Sequence, residues 1–200
     1  MSVIRHKNQR VAIFIDAQNL YHSAKNLYKA KVNFGNVVKA VLGERELIRA
    51  IAYVVNTESG EEQPFFEALE KSGIEIKTKD LQIFFGGAKK ADWDVGMAVD
   101  AIKHAQKVDA IVLLTGDGDF IPLAEYVKSQ GCQVEGASFG RSSSSRFREV
   151  LDDFIDLDED PAQFLIGYRA RKTTTKRTNT RGHTKPTAIK KVVGTDTDDL

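Results

Sequence analysis

Four aspartates stand where apolar runs give way to loops or helices. Asp16 follows RVAIFI (residues 10–15), and Asp117 and Asp119 alternate with glycines after DAIVLLT (residues 109–115). Asp94 opens the helical pattern of Asp94-Val-Gly-Met-Ala-Val-Asp100. Carboxylates gathered closely repel one another and stay ionised together only beside a counter-charge. A hard divalent cation, Mg2+ or Mn2+, is the natural one, because it takes oxygen ligands and keeps some of its waters. An ion held this way can activate water and stabilise charge on a phosphoryl oxygen, which is the chemistry of phosphodiester hydrolysis. Plainer uses stay open for each residue. Asp16 could serve a turn or cap, Asp119 could cap a helix from Phe120, and Asp92 reads better as an N-cap than as a ligand. Asp100 lies six positions beyond Asp94 and faces another side of an ideal helix. Asp117 is the hardest to explain by capping, since Asp119 already occupies the cap position.

The elements that must carry these residues follow from periodicity. Residues 10–15, 47–55, 109–115 and 132–138 read as buried strands, rich in β-branched and small apolar residues. Residues 74–78 and 81–85 are strand-like, and Gly86-Gly87-Ala88-Lys89-Lys90 reads as a basic loop. Helices are expected over 19–31, 34–42, 61–72 and 120–130, with Pro122 in a first turn, where proline is tolerated. Another is expected after Asp94, with Val95, Ala98, Val99 and Ile102 as its buried stripe. A last helix would carry Phe147, Val150, Leu151 and Phe154. Strands alternating with helices predict an α/β fold with a mostly parallel central sheet and helices on both faces, in three layers. Such sheets bind ligands beyond the carboxyl ends of their strands, where the aspartates fall.

Three segments, Phe14-Ile-Asp16-Ala-Gln-Asn19-Leu20, Lys90-Ala-Asp-Trp-Asp94-Val-Gly-Met-Ala-Val-Asp100 and Thr115-Gly-Asp117-Gly-Asp119-Phe-Ile-Pro-Leu, resemble the signature blocks of NYN domains. These are PIN-like nuclease domains, and the likeness is to their LabA-like branch over roughly residues 8–158. The resemblance implies a Rossmann-like PIN fold, a divalent-metal site and metal-dependent ribonuclease activity. By motif, Asp16, Asp94, Asp117 and Asp119 match the acidic catalytic and metal-binding set. Asn19 matches the asparagine beside the first aspartate, where its amide could orient a ligand or phosphate. The chain departs from the pattern after Lys90, with Ala-Asp-Trp-Asp where many relatives have Gly-Val-Asp. Asp94 is preferred to Asp92 because it precedes the Val-Gly-Met-Ala-Val helix.

Basic residues near the same edge are candidates for substrate contact: Lys90, with Lys89, on the glycine-containing loop, and Arg141 and Arg146 around the serines 142–145. Phosphate contacts of this kind supply most nucleic-acid affinity. Trp93 could stack on a base, though packing is its commoner use. The expected partner is RNA, single-stranded or structured. An alternative is a catalytically weak RNA-binding or regulatory module on the same domain.

The 200 residues carry a net charge of +1, which hides an asymmetry: residues 161–200 hold nine Lys/Arg and three Asp/Glu, and the rest holds twenty and twenty-five. A domain over 1–160 with a basic, disordered tail over 161–200 is expected. One cysteine, Cys132, excludes an internal disulfide and a cysteine-rich zinc site. With no signal-like or membrane-spanning apolar run, a cytoplasmic protein without membrane contact is the expectation. Dimerisation stays open, since no segment names an interface. There is no GxGxxG and no GxxxxGK[ST] loop, which argues against nucleotide cofactors. Gln18 stands where a haloacid-dehalogenase-type phosphatase would want a second aspartate.

Overall fold

Val11, Ile13 and Ile15 alternate with Ala12 and Phe14, and all five are fully buried, so the first strand is covered on both faces. The computed structural model describes residues 3, 5–56, 63–80, 82–83, 89–90 and 92–169. In chain order they form β1 (Arg10–Asp16), α1 (Ala17–Tyr28), β2 (Lys31–Val32), α2 (Phe34–Leu42), β3 (Glu46–Asn56), α3 (Gln63–Lys71), β4 (Glu75–Asp80), β5 (Gln82–Ile83), β6 (Lys89–Lys90) and α4 (Asp94–Ala105). There follow β7 (Ala110–Leu114), α5 (Ile121–Ser129), β8 (Gln133–Ser138), α6 (Ser145–Val150), β9 (Asp153–Asp156), α7 (Pro161–Phe164) and β10 (Leu165–Ile166).

The main sheet has six strands in the order β4-β3-β1-β7-β8-β9, every neighbouring pair parallel. The chain starts at the centre, steps outward through β3 and β4, then returns past β1 and steps the other way. That reversal leaves a crevice between the carboxyl ends of β1 and β7, the position where open α/β sheets bind ligands. Val11, Ile13 and Ile15 share one core with Leu20 and Ala24 of α1, Val37, Val38 and Val41 of α2, and Leu69 of α3. Ala12 and Phe14 share the other with Met97 and Ala101 of α4, Leu123, Ala124 and Val127 of α5, and Phe147 of α6. The expected three-layer, PIN-like α/β fold is the one observed.

Three details differ from the pattern-based expectation. On α4 the buried stripe is Met97, Ala101 and Ala105, while Val95 is 75% exposed and Val99 and Ile102 are also outward. Two stripes of helical spacing run along this segment. The one with two alanines faces the sheet, where Phe14, Tyr53 and Trp93 already supply the bulk. Phe154 is not helical: α6 stops at Val150, the Asp152 carboxylate accepts from the Val134 amide at 2.8 Å, and β9 adds a strand beside β8. Finally, the fold continues past residue 160. Asp160 caps α7, Phe164 and Leu165 are buried, and β10 pairs with β2, so the described residues of this unit run to Arg169. The basic residues of the expected tail beyond it lie outside the described residues. No helix among the described residues is long and apolar enough to cross a membrane.

Candidate functional site

Asp16 ends β1 and caps α1. Its Oδ1 accepts from the Asn19 amide at 3.0 Å, which satisfies a first-turn donor of the helix. Its Oδ2 accepts from the Thr115 hydroxyl at 3.2 Å across the crevice. Thr115 follows β7, is fully buried, and its Oγ1 also accepts from the Asp117 amide at 3.2 Å. Asn19 closes the junction from the other side, its Oδ1 accepting from the Gly116 amide at 3.0 Å. Since only the oxygen of that amide can accept, this bond fixes how the Asn19 side chain is turned. Thr115, just after β7, and Asn19, in the first turn of α1, thus lock the two motif-bearing turns together.

Asp117 accepts from the Asp119 amide at 2.9 Å and caps the 3-10 turn Gly118–Phe120. The cap therefore belongs to Asp117 rather than to Asp119, which is exposed within that turn. Helix α5 begins after Phe120 with no side-chain cap. Asp94 is the first residue of α4, where the helix dipole favours a negative charge. The position before it is Trp93, not Asp92, and again no side chain caps it.

Burial pushes the Asp16 carboxyl up to about 6, and the like charges of Asp94 and Asp117 push in the same direction. The hydrogen bonds from Asn19 and Thr115 pull the other way. The structure therefore brings Asp94 and Asp117 close enough for their charge to reach Asp16. Among the described residues no three Asp, Glu, His or Cys side chains converge closely enough to cage an ion as they stand. The donor chemistry still fits a hard divalent cation, because it is all oxygen and the charges of Asp94 and Asp117 raise the cost of ionising Asp16.

The remaining candidates divide. Lys90 lies in β6, paired with Gln82, and its side chain lies outside the described residues. Arg146 is exposed on α6. Arg141 is engaged by protein: its Nη2 lies 3.1 Å from Asp158 Oδ1, its amide donates to Asp158 Oδ2 at 2.9 Å, and its guanidinium sits 4.8 Å over the Tyr28 ring. Trp93 is a packing residue. Its Nε1 donates to the Val54 carbonyl at 2.9 Å, its ring meets Tyr53, and a methyl group on Gly96 would come within 2.6 Å of it. Asp100 is held by the Tyr53 hydroxyl at 2.8 Å and by Lys77 at 2.5 Å.

Two residues escaped the sequence reading. Thr115 could have been suspected only as the polar residue ending the most apolar run. Lys79, near the carboxyl end of β4, donates to the Asp92 carbonyl at 3.2 Å and lies 5.8 Å over the Trp93 ring, which sets an exposed cation beside the start of α4.

A parallel sheet in this strand order, with aspartates gathered at its switch point, defines a PIN-like α/β domain. Residues 10–158 match the NYN domain, and the chain belongs to that family, whose members are typically metal-dependent nucleases. The low amplitude and bright protein LabA of Synechococcus elongatus is 27% identical over 161 residues, covering 75% of this chain and 84% of LabA. The crystal structure of a protein of unknown function from Vibrio parahaemolyticus superposes with a TM-score of 0.74 at 28% identity, covering 82% of this chain and all of that one.

Proposed function

We propose that this protein is a metal-dependent ribonuclease that hydrolyses phosphodiester bonds at the crevice between β1 and β7. The observation that carries the reading is Asp16: a half-buried carboxylate at the switch point, hydrogen-bonded into place, and set against two more carboxylates. A set of this kind is costly to a fold that does not use it.

Asp16, Asp94 and Asp117 would hold the ion, Mg2+ or Mn2+, with Asp119 supplying the outermost carboxylate. When bound, the ion supplies an activated water and neutralises charge that develops on the phosphoryl oxygens. The chain's own residues do the rest. Thr115 and Asn19 keep the two turns in register, so the carboxylates do not spread apart under their repulsion. Wherever Asp16 carries a proton, loading the site releases it, so ion binding tightens as pH rises through about 6. Trp93 and Tyr53 pack against each other where α4 starts, beside Asp94. Lys90, Arg146 and Lys79 are proposed phosphate contacts along the rim, and RNA, single-stranded or structured, is the proposed substrate. The proposed setting is the cytoplasm, which suits a chain whose one cysteine is a buried thiol. A homodimer is compatible with this reading.

The test is cleavage of labelled single-stranded RNA and matched DNA by the wild type and by Asp117→Asn, with Mn2+, Mg2+ or EDTA. Asparagine keeps the cap, so the variant should fold as the wild type does. The expected result is metal-dependent cleavage of RNA that falls on the order of 10²-fold or more in the variant. Equal cleavage by both would remove Asp117 from the site. RNA binding without cleavage under any condition would move the protein to a binding module.

A further inference from the structure

We propose that Arg141 is a positioning residue: with Asp158 and Tyr28 it latches the segment 139–144 against the Gly116–Gly118 turn and so sets where Asp117 stands. The assignment deepens the nuclease reading and rests on it only for its activity arm.

The segment leaves the end of β8 and is tied at its outer side first. The Gly140 amide donates to Asp156 Oδ1 at 2.8 Å, and the Asp158 amide donates to the same oxygen at 2.8 Å. Arg141 then grips Asp158 twice, through its amide and its guanidinium. The Tyr28 hydroxyl, at the end of α1, donates to that carboxylate as well, while the Tyr28 ring carries the guanidinium on its face. Asp158 therefore collects three donors and one full positive charge, and its side chain is 12% exposed. Arg141 is itself 56% exposed, so its hold comes from the combination of the pairing on one carboxylate, its amide bond to the same carboxylate and the stacking on Tyr28.

The inner side of the segment presses on the acidic turn. The Ser142 hydroxyl donates to Ser23 on α1 at 2.8 Å, and the Ser138 and Ser143 hydroxyls bond each other. The Ser144 amide donates to the Gly116 carbonyl at 2.9 Å. The approach is so close that a methyl group on Gly116 would lie 2.6 Å from Ser143 Oγ, and one on Gly118 would lie 3.1 Å from Ser144 Oγ. Between those two glycines stands Asp117. A contiguous chain of contacts thus runs from the Asp158 latch to the acidic turn, and releasing the latch loosens the face on which that turn rests. Arg141 stands beside the site and would otherwise be read as a phosphate contact. Its partners are protein atoms, and they aim it away from that use.

The experiment pairs two readouts on Arg141→Ala, Asp158→Ala, their double variant, Arg141→Lys and the milder Tyr28→Phe. Amide NMR signals of Gly116, Asp117 and Ser144 are followed in the metal-free protein, and kcat and KM are measured on labelled RNA. The latch predicts that Arg141→Ala and Asp158→Ala move the same amide signals. It predicts that each lowers kcat about tenfold with KM within about twofold, since small misplacements of reacting groups act on the chemical step. The double variant should fall no further than either single one. Lysine at 141 should fail to restore activity, having neither the fork nor the stacking plane. A phosphate contact predicts the opposite: a raised KM, a shallower salt dependence of RNA binding, and no effect of Asp158→Ala. Unmoved amide signals in all variants would overturn the latch whether or not the protein cleaves RNA. Moved signals in a protein that cleaves nothing would keep the latch and discard the nuclease.

Discussion

At the amino edge of the sheet, Arg45 and Glu135 are buried as a pair, each side chain 2% exposed, while at the carboxyl edge Asp16 is half-buried against charges of its own sign. The first pair is fully provided for. Arg45 meets both oxygens of Glu135, at 2.5 and 2.9 Å, and its other donors reach the Val41 and Leu42 carbonyls and Gln9. Glu135 accepts further from Arg5 and Gln133. Asp16 has an amide and a hydroxyl, and the charges that act on it most, Asp94 and Asp117, are both negative. Two carboxylates in one sheet, one buried and one half-buried, therefore differ in what completes them. Glu135 is completed by the chain itself and reads as structure. Asp16 is left short of positive charge, which is what the proposed ion would supply.

The largest break in this comparison comes from the amino edge. Glu135→Ala strands the Arg45 guanidinium in the core, and removing one partner of a buried pair costs about 3–5 kcal/mol. Urea denaturation should show that loss. Replacing both partners together, Arg45→Met with Glu135→Leu, should return most of it, because apolar groups of similar volume need no counter-charge. A single variant that unfolds within about 1 kcal/mol of the wild type would show that water already reaches the pair, and the contrast between the edges would lose its physical basis.

A smaller effect is expected where the carboxyl edge is packed most tightly. Gly116→Ala places a methyl group 2.6 Å from Ser143 Oγ and 3.0 Å from its Cα. The backbone contact cannot be relieved by a rotamer change, so overpacking should cost about 1–3 kcal/mol. The same shift would strain the Asn19 bond to the Gly116 amide. Thermal unfolding and ion affinity should therefore weaken together. Lost stability with unchanged ion binding would mean that the turn moves as a rigid piece.

Much of this was legible in the chain. The strands β1, β3, β7 and β8 are runs that a fully buried parallel sheet requires, and Asp16 and Asp117 were visible because each follows such a run. β9 was not legible, since four residues with aspartates at both ends carry too little apolar signal to compete with a helix. α7 announces itself by Asp160-Pro161, a cap followed by proline, but four residues are too few to show a period. On α4 the wrong stripe was preferred because Val95, Val99 and Ile102 are larger than the alanines that pack. The hydrogen bonds of the site were beyond reach. Thr115 meets Asp16 across 99 residues and Arg141 meets Asp158 across 17, and neither spacing has a local signature.

The finest test of the comparison is to remove the uncompensated charge while keeping the cap. Asp16→Asn keeps an Oδ1 that can accept from the Asn19 amide, so the cap survives, and its NH2 group can donate to Thr115 Oγ1 where the carboxylate accepted from it. The Asp16 carboxyl titrates near 6 in the folded chain and near the ordinary aspartate value of about 3.9 when unfolded. Between those values the folded state binds more protons, so stability falls as pH rises through this window and the full penalty is present above it. A shift of this size corresponds to no more than about 3 kcal/mol, and local relaxation brings the expected gain of the asparagine variant to about 1–2 kcal/mol at pH 7.5. Metal-free Asp16→Asn should therefore melt a few degrees above the wild type at pH 7.5, and the gap should narrow as pH falls through about 6 and close only below the unfolded value of about 3.9. Added Mn2+ should stabilise the wild type and not the variant, because a bound ion contributes in proportion to its occupancy. If the variant is instead less stable at every pH, the chain itself compensates Asp16, and the two edges of the sheet bury charge by the same rule.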